Sequence, residues 1–211
     1  MTRGFFIALE GGEGAGKSTQ ARRLAEDLRA LGHEVVLTRE PGGSPGAEDI
    51  RQLLVTGEAA RWSPLTEALL MYAAREDHLN ATIRPALARG AIVISDRFAD
   101  SSEAYQGAGG GVPIETLNAL RSAVVGADEP DLTLIFDLPV EAGLARASAR
   151  GGDARFESKG VAYHQRLRDA FLSIAARRKD RAVLIDAAQP VEAVAEAIRL
   201  RVNDALAKHT P

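Results

Sequence analysis

Short apolar runs punctuate the chain at Phe5 to Leu9, His33 to Arg39, Ala91 to Asp96, Leu132 to Asp137 and Ala182 to Asp186. Each is aliphatic or β-branched and bounded by polar residues, which is the pattern of a buried strand. Segments of helical length separate them. Lys17 to Leu31 places Leu24, Leu28 and Leu31 at helical spacing and stops at Gly32, a residue type suited to a helix C-terminus. Ser63 and Pro64 supply an N-cap and a proline at the first helical position, opening a long apolar helix toward Asn80. Further helices are expected to begin near Pro113, Ala142, Val161 and Val191.

A strand that is apolar on both faces has no solvated side, and consecutive parallel strands need long crossovers. The alternation therefore predicts a three-layer α/β fold, with a five-stranded parallel sheet covered by helices on both sides. Gly107 to Gly111 and Arg150 to Asp153 are the most glycine-rich stretches and are expected to be mobile loops. Neither resembles an interdomain linker, so residues 1–211 are read as one domain.

Composition narrows the class. With 211 residues, 45% hydrophobic and 26% charged, the chain matches a globular domain and not a disordered or fibrous one. A net charge of -3 argues against a dedicated nucleic-acid binder, although local arginines still suffice for a small anion. The chain has no cysteine, which excludes a disulfide framework or a thiolate zinc site and makes the cytoplasm the expected compartment. The run Phe5 to Leu9 is too short for a signal-peptide core or a membrane span, so no membrane partner is expected.

The first candidate chemistry lies between the first strand and the first helix. Gly11-Gly12-Glu13-Gly14-Ala15-Gly16-Lys17-Ser18 satisfies G-x-x-x-x-G-K-[ST] in that setting. The glycines let backbone N–H groups wrap a triphosphate, Lys17 reaches its outer phosphates, and Ser18 places a hydroxyl on Mg²⁺. Thr19 completes the expected ATP-binding run. The loop alone does not choose a reaction, since it serves switches, motors, transporters and kinases alike.

Charged residues further along bear on that choice. Asp96 ends a predicted strand at the carboxyl edge of the sheet, where it is placed either to hold Mg²⁺ through water or to cap the next helix. Arg97 beside it offers a planar fork that can bridge two phosphates. Arg146, Arg150, Arg155 and Glu157 form a glycine-containing basic stretch, read as a lid over residues 146–158 that closes on ATP. His33, His78, His164 and His209 share no motif and are read as structural or solvent-facing. An arginine-rich site without a histidine or cysteine nucleophile suits phosphoryl transfer by positioning and electrostatics, onto an acceptor phosphate already ionised at neutral pH.

Several segments together resemble the thymidylate kinase family, in its bacterial branch. The most specific is Asp96-Arg97-Phe98-Ala99-Asp100-Ser101-Ser102-Glu103-Ala104-Tyr105-Gln106-Gly107, similar to the family's DR-x-x-x-S-x-x-A-Y-Q-G. Thr38 to Ser44, Tyr72 to Arg75 and Ile185 to Pro190 resemble family segments in order and spacing. The resemblance implies an ATP-dependent kinase acting on dTMP, built as a homodimer. It implies that Arg75 reads the thymine edge, that Arg97 and Arg51 hold the dTMP phosphate, and that Tyr105 packs on the sugar. Ser101, Ser102 and Gln106 lie around the base in this reading, Arg39 joins the acceptor site, and Glu13 approaches the 3'-hydroxyl and the metal-bound waters. Gly14 stands where one branch of the family carries an arginine, so the lid is expected to supply it. Arg155 is preferred over Arg150, because Arg155-Phe156-Glu157 resembles the lid sequence. Arg146 is expected to stack on adenine, with Ala187, Ala188 and Gln189 along its edge. Met71 departs from the phenylalanine that relatives usually place against the base. Another P-loop nucleotide or deoxynucleoside kinase is the nearest alternative, and a nucleotide-dependent switch ATPase a more distant one.

Overall fold

A computed structural model describes residues 3–58, 61–149 and 159–209. Its centre is a five-stranded parallel sheet: β1 (Phe6–Gly11), β2 (Val35–Arg39), β3 (Ile92–Asp96), β4 (Leu132–Asp137) and β5 (Ala182–Asp186), in the order β2-β3-β1-β4-β5. The α/β architecture is the one that the apolar runs predict. The central strands β1, β3 and β4 are buried almost end to end, whereas the edges β2 and β5 alternate between buried and exposed positions.

Helices cover both faces because β1 presents apolar side chains to each. Ile7 and Leu9 pack with Leu24 and Leu28 of α1 (Lys17–Ala30) and with Val194, Ile198 and Val202 of the C-terminal helix Val191–Lys208. Phe6 and Ala8 face the other way, onto Leu79, Ile83, Leu87, Phe98 and Val125. Between β2 and β3 the chain forms α2 (Pro45–Val55), α3 (Pro64–His78) and α4 (Arg84–Ala88), and between β3 and β4 it forms α5 (Ala99–Ser102) and α6 (Ile114–Val124); α2 and α6 both pack against α3. After β4 come α7 (Val140–Ser148) and α8 (Val161–Arg177), and the C-terminal helix is α9.

Two differences from the sequence reading matter for the site. The stretch expected to be a mobile loop at Gly107 to Gly111 is ordered through Gly109, within a π-helical segment Glu103–Gly109 that continues α5. Its glycines serve close packing: a Cβ on Gly109 would lie 2.7 Å from the Tyr163 ring of α8. The other expected loop, Arg150 to Asp153, lies outside the described residues. Helix α2 and the π-helical turn Leu79–Ile83, which carries α3 on into α4, are elements the periodicity did not predict. Helix α2 buries only Ala47 and Leu54, too few positions to read as an apolar stripe, and Pro45 opens it where a missing amide costs nothing. The π-helical turn is held by Leu79 and Ile83, both buried against the second face of the sheet.

Candidate active site

The strand order brings the carboxyl ends of β1 and β3 side by side, with Leu9 opposite Asp96. The turn after β1 is the glycine-rich loop, and Gly16 at φ 88 leads into α1. Gly14, at φ 69, presses against the backbone of Gly143 in α7, and a Cβ there would run into the Gly143 carbonyl. No side chain fits at that position without moving α7. Lys17 is buried, and its ammonium donates to the carbonyls of Gly11 at 3.0 Å and Gly12 at 2.7 Å. Burial, reinforced by the Arg97 cation, lowers Lys17 to about 8, against the pull of Glu13 and Asp96. Ser18 and Thr19 are exposed on the first turn of α1, and the Ser18 hydroxyl hydrogen-bonds the Asp96 carboxylate. These two oxygen donors suit a hard cation such as Mg²⁺, which keeps most of its own waters and leans on nucleotide phosphates. Among the described residues there is no cluster of three or more acidic, histidine or cysteine side chains able to hold a metal by themselves.

Arg97 occupies the junction between the loop and a neighbouring cavity. Its backbone is left-handed, φ 73, a strained conformation for a residue with a side chain. The strain is held from several sides: its amide donates to the Leu9 carbonyl at 2.9 Å, and its own carbonyl accepts from the Ser95 hydroxyl at 2.7 Å. This turn sends the guanidinium back over β1, where it donates to the Gly11 carbonyl at 3.0 Å and to Glu13 at 2.8 Å. The Tyr105 hydroxyl donates to the same Glu13 oxygen at 2.8 Å, and the Arg97 guanidinium lies 4.8 Å from the Tyr105 ring centre. Burial works to raise the Glu13 carboxyl, but Arg97, Lys17 and the tyrosine hydrogen bond outweigh it and hold it at about 2. Glu13 is therefore an anion at any working pH.

A cavity of about 270 Å³ opens beside this junction. It brings together every residue that the resemblance assigns to the acceptor: Glu13, Arg39, Arg51, Met71, Arg75, Arg97, Ser101, Ser102, Tyr105 and Gln106. Asp96 and Ser18 line it as well. Arg75 is buried, with its guanidinium donating to Glu40 at 2.7 Å, to the Ser102 hydroxyl at 3.1 Å and to the Phe98 carbonyl at 3.1 Å. Arg51 donates to the Pro41 carbonyl at 2.7 Å, and Gln106 donates to Glu67 at 2.9 Å. Arg39 is exposed and paired with Glu48, so its guanidinium is less firmly committed to the cavity than Arg75 is. Met71 is half-buried on the α3 face that looks into the cavity.

On the far side of the loop, Arg146 at the end of α7 donates to the Ala187 carbonyl at 3.0 Å. The turn after β5 is fixed by Asp186, which accepts from the Ala188 amide at 3.0 Å and the Gln189 side chain at 2.8 Å. Arg146 and the residues expected along an adenine edge thus form one surface beside the loop. Arg150, Arg155 and Glu157 lie outside the described residues.

Some neighbours of the site carry no motif in the sequence. His78 is one of the histidines expected to be structural or solvent-facing, and it is structural: fully buried, it bridges Glu40 at 3.1 Å and the Thr38 hydroxyl at 2.7 Å, sharing Glu40 with Arg75. His164 of α8 is buried in the neighbourhood of Glu13. Glu10, wholly buried at the end of β1, accepts from the Phe98 and Ser101 amides. The one signal available for Glu10 and Glu40 was a carboxylate standing at the end of an apolar run.

The sequence pattern of the family described as thymidylate kinase matches residues 9–198. A thymidylate kinase of Caulobacter vibrioides is 65% identical over 198 residues, covering 94% of this chain and 95% of the relative. One of Pseudomonas fluorescens is 56% identical over 195 residues, covering 92% and 93%. The crystal structure of thymidylate kinase from Ehrlichia chaffeensis superimposes with a TM-score of 0.77 at 33% identity, covering 95% of this chain and 99% of that one.

Proposed function

The chain belongs to the thymidylate kinase family, and from that membership we infer how its site works. It is an ATP-dependent nucleoside monophosphate kinase that transfers the γ-phosphoryl of ATP to dTMP, giving dTDP and ADP. The assignment of roles to residues rests on one observation above the others: a single cavity is lined by Glu13 and Ser18 of the phosphate-binding loop, by Arg97 and by the buried Arg75.

In this reading the loop amides and Lys17 hold the ATP phosphates, exchanging the loop carbonyls that Lys17 touches in the free protein for phosphate oxygens. An ATP-using kinase of this family requires a metal, for which Mg²⁺ fits the oxygens of Ser18 and Asp96; when bound it neutralises charge on the phosphates. Arg97 and Arg51 grip the dTMP phosphate, and the dianion attacks without a general base, its second pKa being about 6. Glu13 stays ionised beside Arg97 and Tyr105, aimed at the sugar. Arg75 reads the pyrimidine edge, while Met71, Ser102 and Gln106 enclose the base. Arg39, paired with Glu48, closes the outer wall. Because Gly14 is sealed against Gly143, a catalytic arginine has to come from elsewhere, which supports the lid residues Arg155 and Arg150. Arg146, Ala188 and Gln189 receive the adenine.

The exposed leucines Leu65 and Leu69, one turn apart on α3, with Leu53 of α2 and Ile114 of α6, support a homodimer through these helices. Among the described residues no helix is long and apolar enough to cross a membrane, and a cytoplasmic enzyme of one kinase domain is our reading. The test is ADP release from ATP across a panel of deoxynucleoside monophosphates and nucleosides. Turnover with dTMP well above the others is expected; a better acceptor elsewhere in the panel would refute the assignment of the cavity.

A further inference from the structure

Glu10 is the last residue with a side chain before the phosphate-binding glycines, and it is wholly buried. A buried carboxylate is costly unless its oxygens are satisfied. Here they are satisfied by the single turn that follows β3. Oε1 accepts from the amides of Phe98 at 2.9 Å and Ser101 at 3.1 Å, and Oε2 pairs with the Ser101 hydroxyl at 2.6 Å. That turn follows directly on Arg97, whose backbone is held left-handed, and the Arg97 guanidinium donates to the same Ser101 hydroxyl at 3.2 Å. Glu10 thus ties the strand that carries the donor loop to the turn that carries the acceptor arginine.

We propose that Glu10 is a positioning residue for the acceptor phosphate, anchoring the Phe98–Ser101 turn so that Arg97 stands at a set distance from the donor loop, and directing the Ser101 hydroxyl. This rests on the reading of Arg97 as a ligand of the dTMP phosphate. With Glu10 ionised, the Ser101 proton points at Oε2. With Glu10 protonated, Oε2 donates to Ser101 instead, Arg97 still donates to the same oxygen, and the hydroxyl proton turns into the cavity, where it can meet a phosphate oxygen. The protonated form therefore receives the dianion better. The charged groups around Glu10 bear on this balance. Burial and the Asp100 carboxylate of the same turn push Glu10 up to about 7, opposed by Arg97 and the hydrogen bonds; Lys17 faces it from the start of α1. Asp100 is itself paired with Arg121 of α6 at 2.7 Å and with Arg178 at the end of α8.

Calorimetric titration of dTMP and of a nonhydrolysable ATP analogue, between pH 6.5 and 8.5, tests the proposal on wild type, Glu10→Gln, Glu10→Leu and Ser101→Ala. Above pH 6.5 the ligand phosphate is already mostly ionised, with its pKa at about 6. The wild-type Kd for dTMP is expected to rise several-fold across the range. Gln presents one oxygen to both amides and an NH₂ to Ser101, so Glu10→Gln is expected to keep the affinity at pH 6.5 and lose the rise. Leu leaves both amides unpaired, and Glu10→Leu is expected to weaken dTMP binding about tenfold or more while moving analogue binding less than about twofold. Ser101→Ala, which leaves the clamp on the backbone intact, is expected to flatten the pH dependence. A Glu10→Gln protein that follows the wild-type pH profile overturns the proposal, as does a folded Glu10→Leu protein that loses both ligands equally. A wild type that binds no dTMP strikes the functional reading itself.

Discussion

The contact between the phosphate-binding loop and α7 yields a prediction whose sign separates packing from propensity. Gly143 lies in the first half of α7, in ordinary helical backbone, where alanine is favoured over glycine by about 1 kcal/mol. Propensity alone makes Gly143→Ala stabilising. The added Cβ, however, would stand 2.6 Å from the Glu13 carbonyl oxygen, against 3.4 Å for ordinary contact. Loop or helix must therefore retreat by about 0.8 Å, and overpacking of this kind costs about 1–3 kcal/mol. The net effect is a loss of up to about 2 kcal/mol, and at about 2–4 °C per kcal/mol for a chain of this size the unfolding midpoint falls by several degrees. Function suffers more, because a displacement near 1 Å of groups that position a reacting phosphate costs about 100-fold. Coupled measurement of ADP release should show kcat/KM for ATP lowered by about 10–100-fold, alongside the lower midpoint by calorimetry. A Gly143→Ala enzyme with a raised midpoint and unchanged kcat/KM would refute the claim that this contact sets the loop.

Lys17, lowered by burial to about 8 from an ordinary 10.5, makes the free protein bind fewer protons than its unfolded chain between those values, so its contribution to stability rises with pH across that window. A bound triphosphate recharges it: at pH 8.5 ATP binding should take up a proton, measurable as a dependence of the binding enthalpy on buffer, and no such dependence would contradict the assignment. Glu40→Gln removes the buried anion that holds Arg75 and His78, leaving a buried cation uncompensated. A loss of about 3 kcal/mol of stability is expected. The same variant should bind dTMP about tenfold more weakly while ATP-analogue affinity is retained, and equal loss of both ligands would count against the proposed role of Arg75 at the base.

Much of this protein was open to reading along the chain, because its local signals carry their own physics. The central strands announce themselves by being apolar on both faces, and Gly11 to Ser18 declares a phosphate loop by a pattern that needs no distant partner. The segment Asp96 to Gly107 is similarly compact, which is why resemblance alone could gather Arg97, Ser101, Ser102, Tyr105 and Gln106 around one ligand, and the structure sets all of them on one cavity. The glycine-rich stretch Gly107 to Gly111 that closes it misled in the other direction. Gly109 reads as loop freedom but exists to let α8 approach, and periodicity does not distinguish a glycine that bends from one that makes room.

What no stretch of sequence states is which distant groups meet. The strand order alone sets β1 beside β3, and with that Glu10 reaches the turn after Arg97, 88 residues away along the chain to Phe98. Glu40, Arg75 and His78 become one buried network only when β2 and α3 are packed together, and Gly14 acquires its reason only against Gly143. Periodicity reports whether a residue is buried, since burial follows from the face it occupies on its own element. The partner it is buried against depends on how the elements stack, and that is settled by the packing of the whole core.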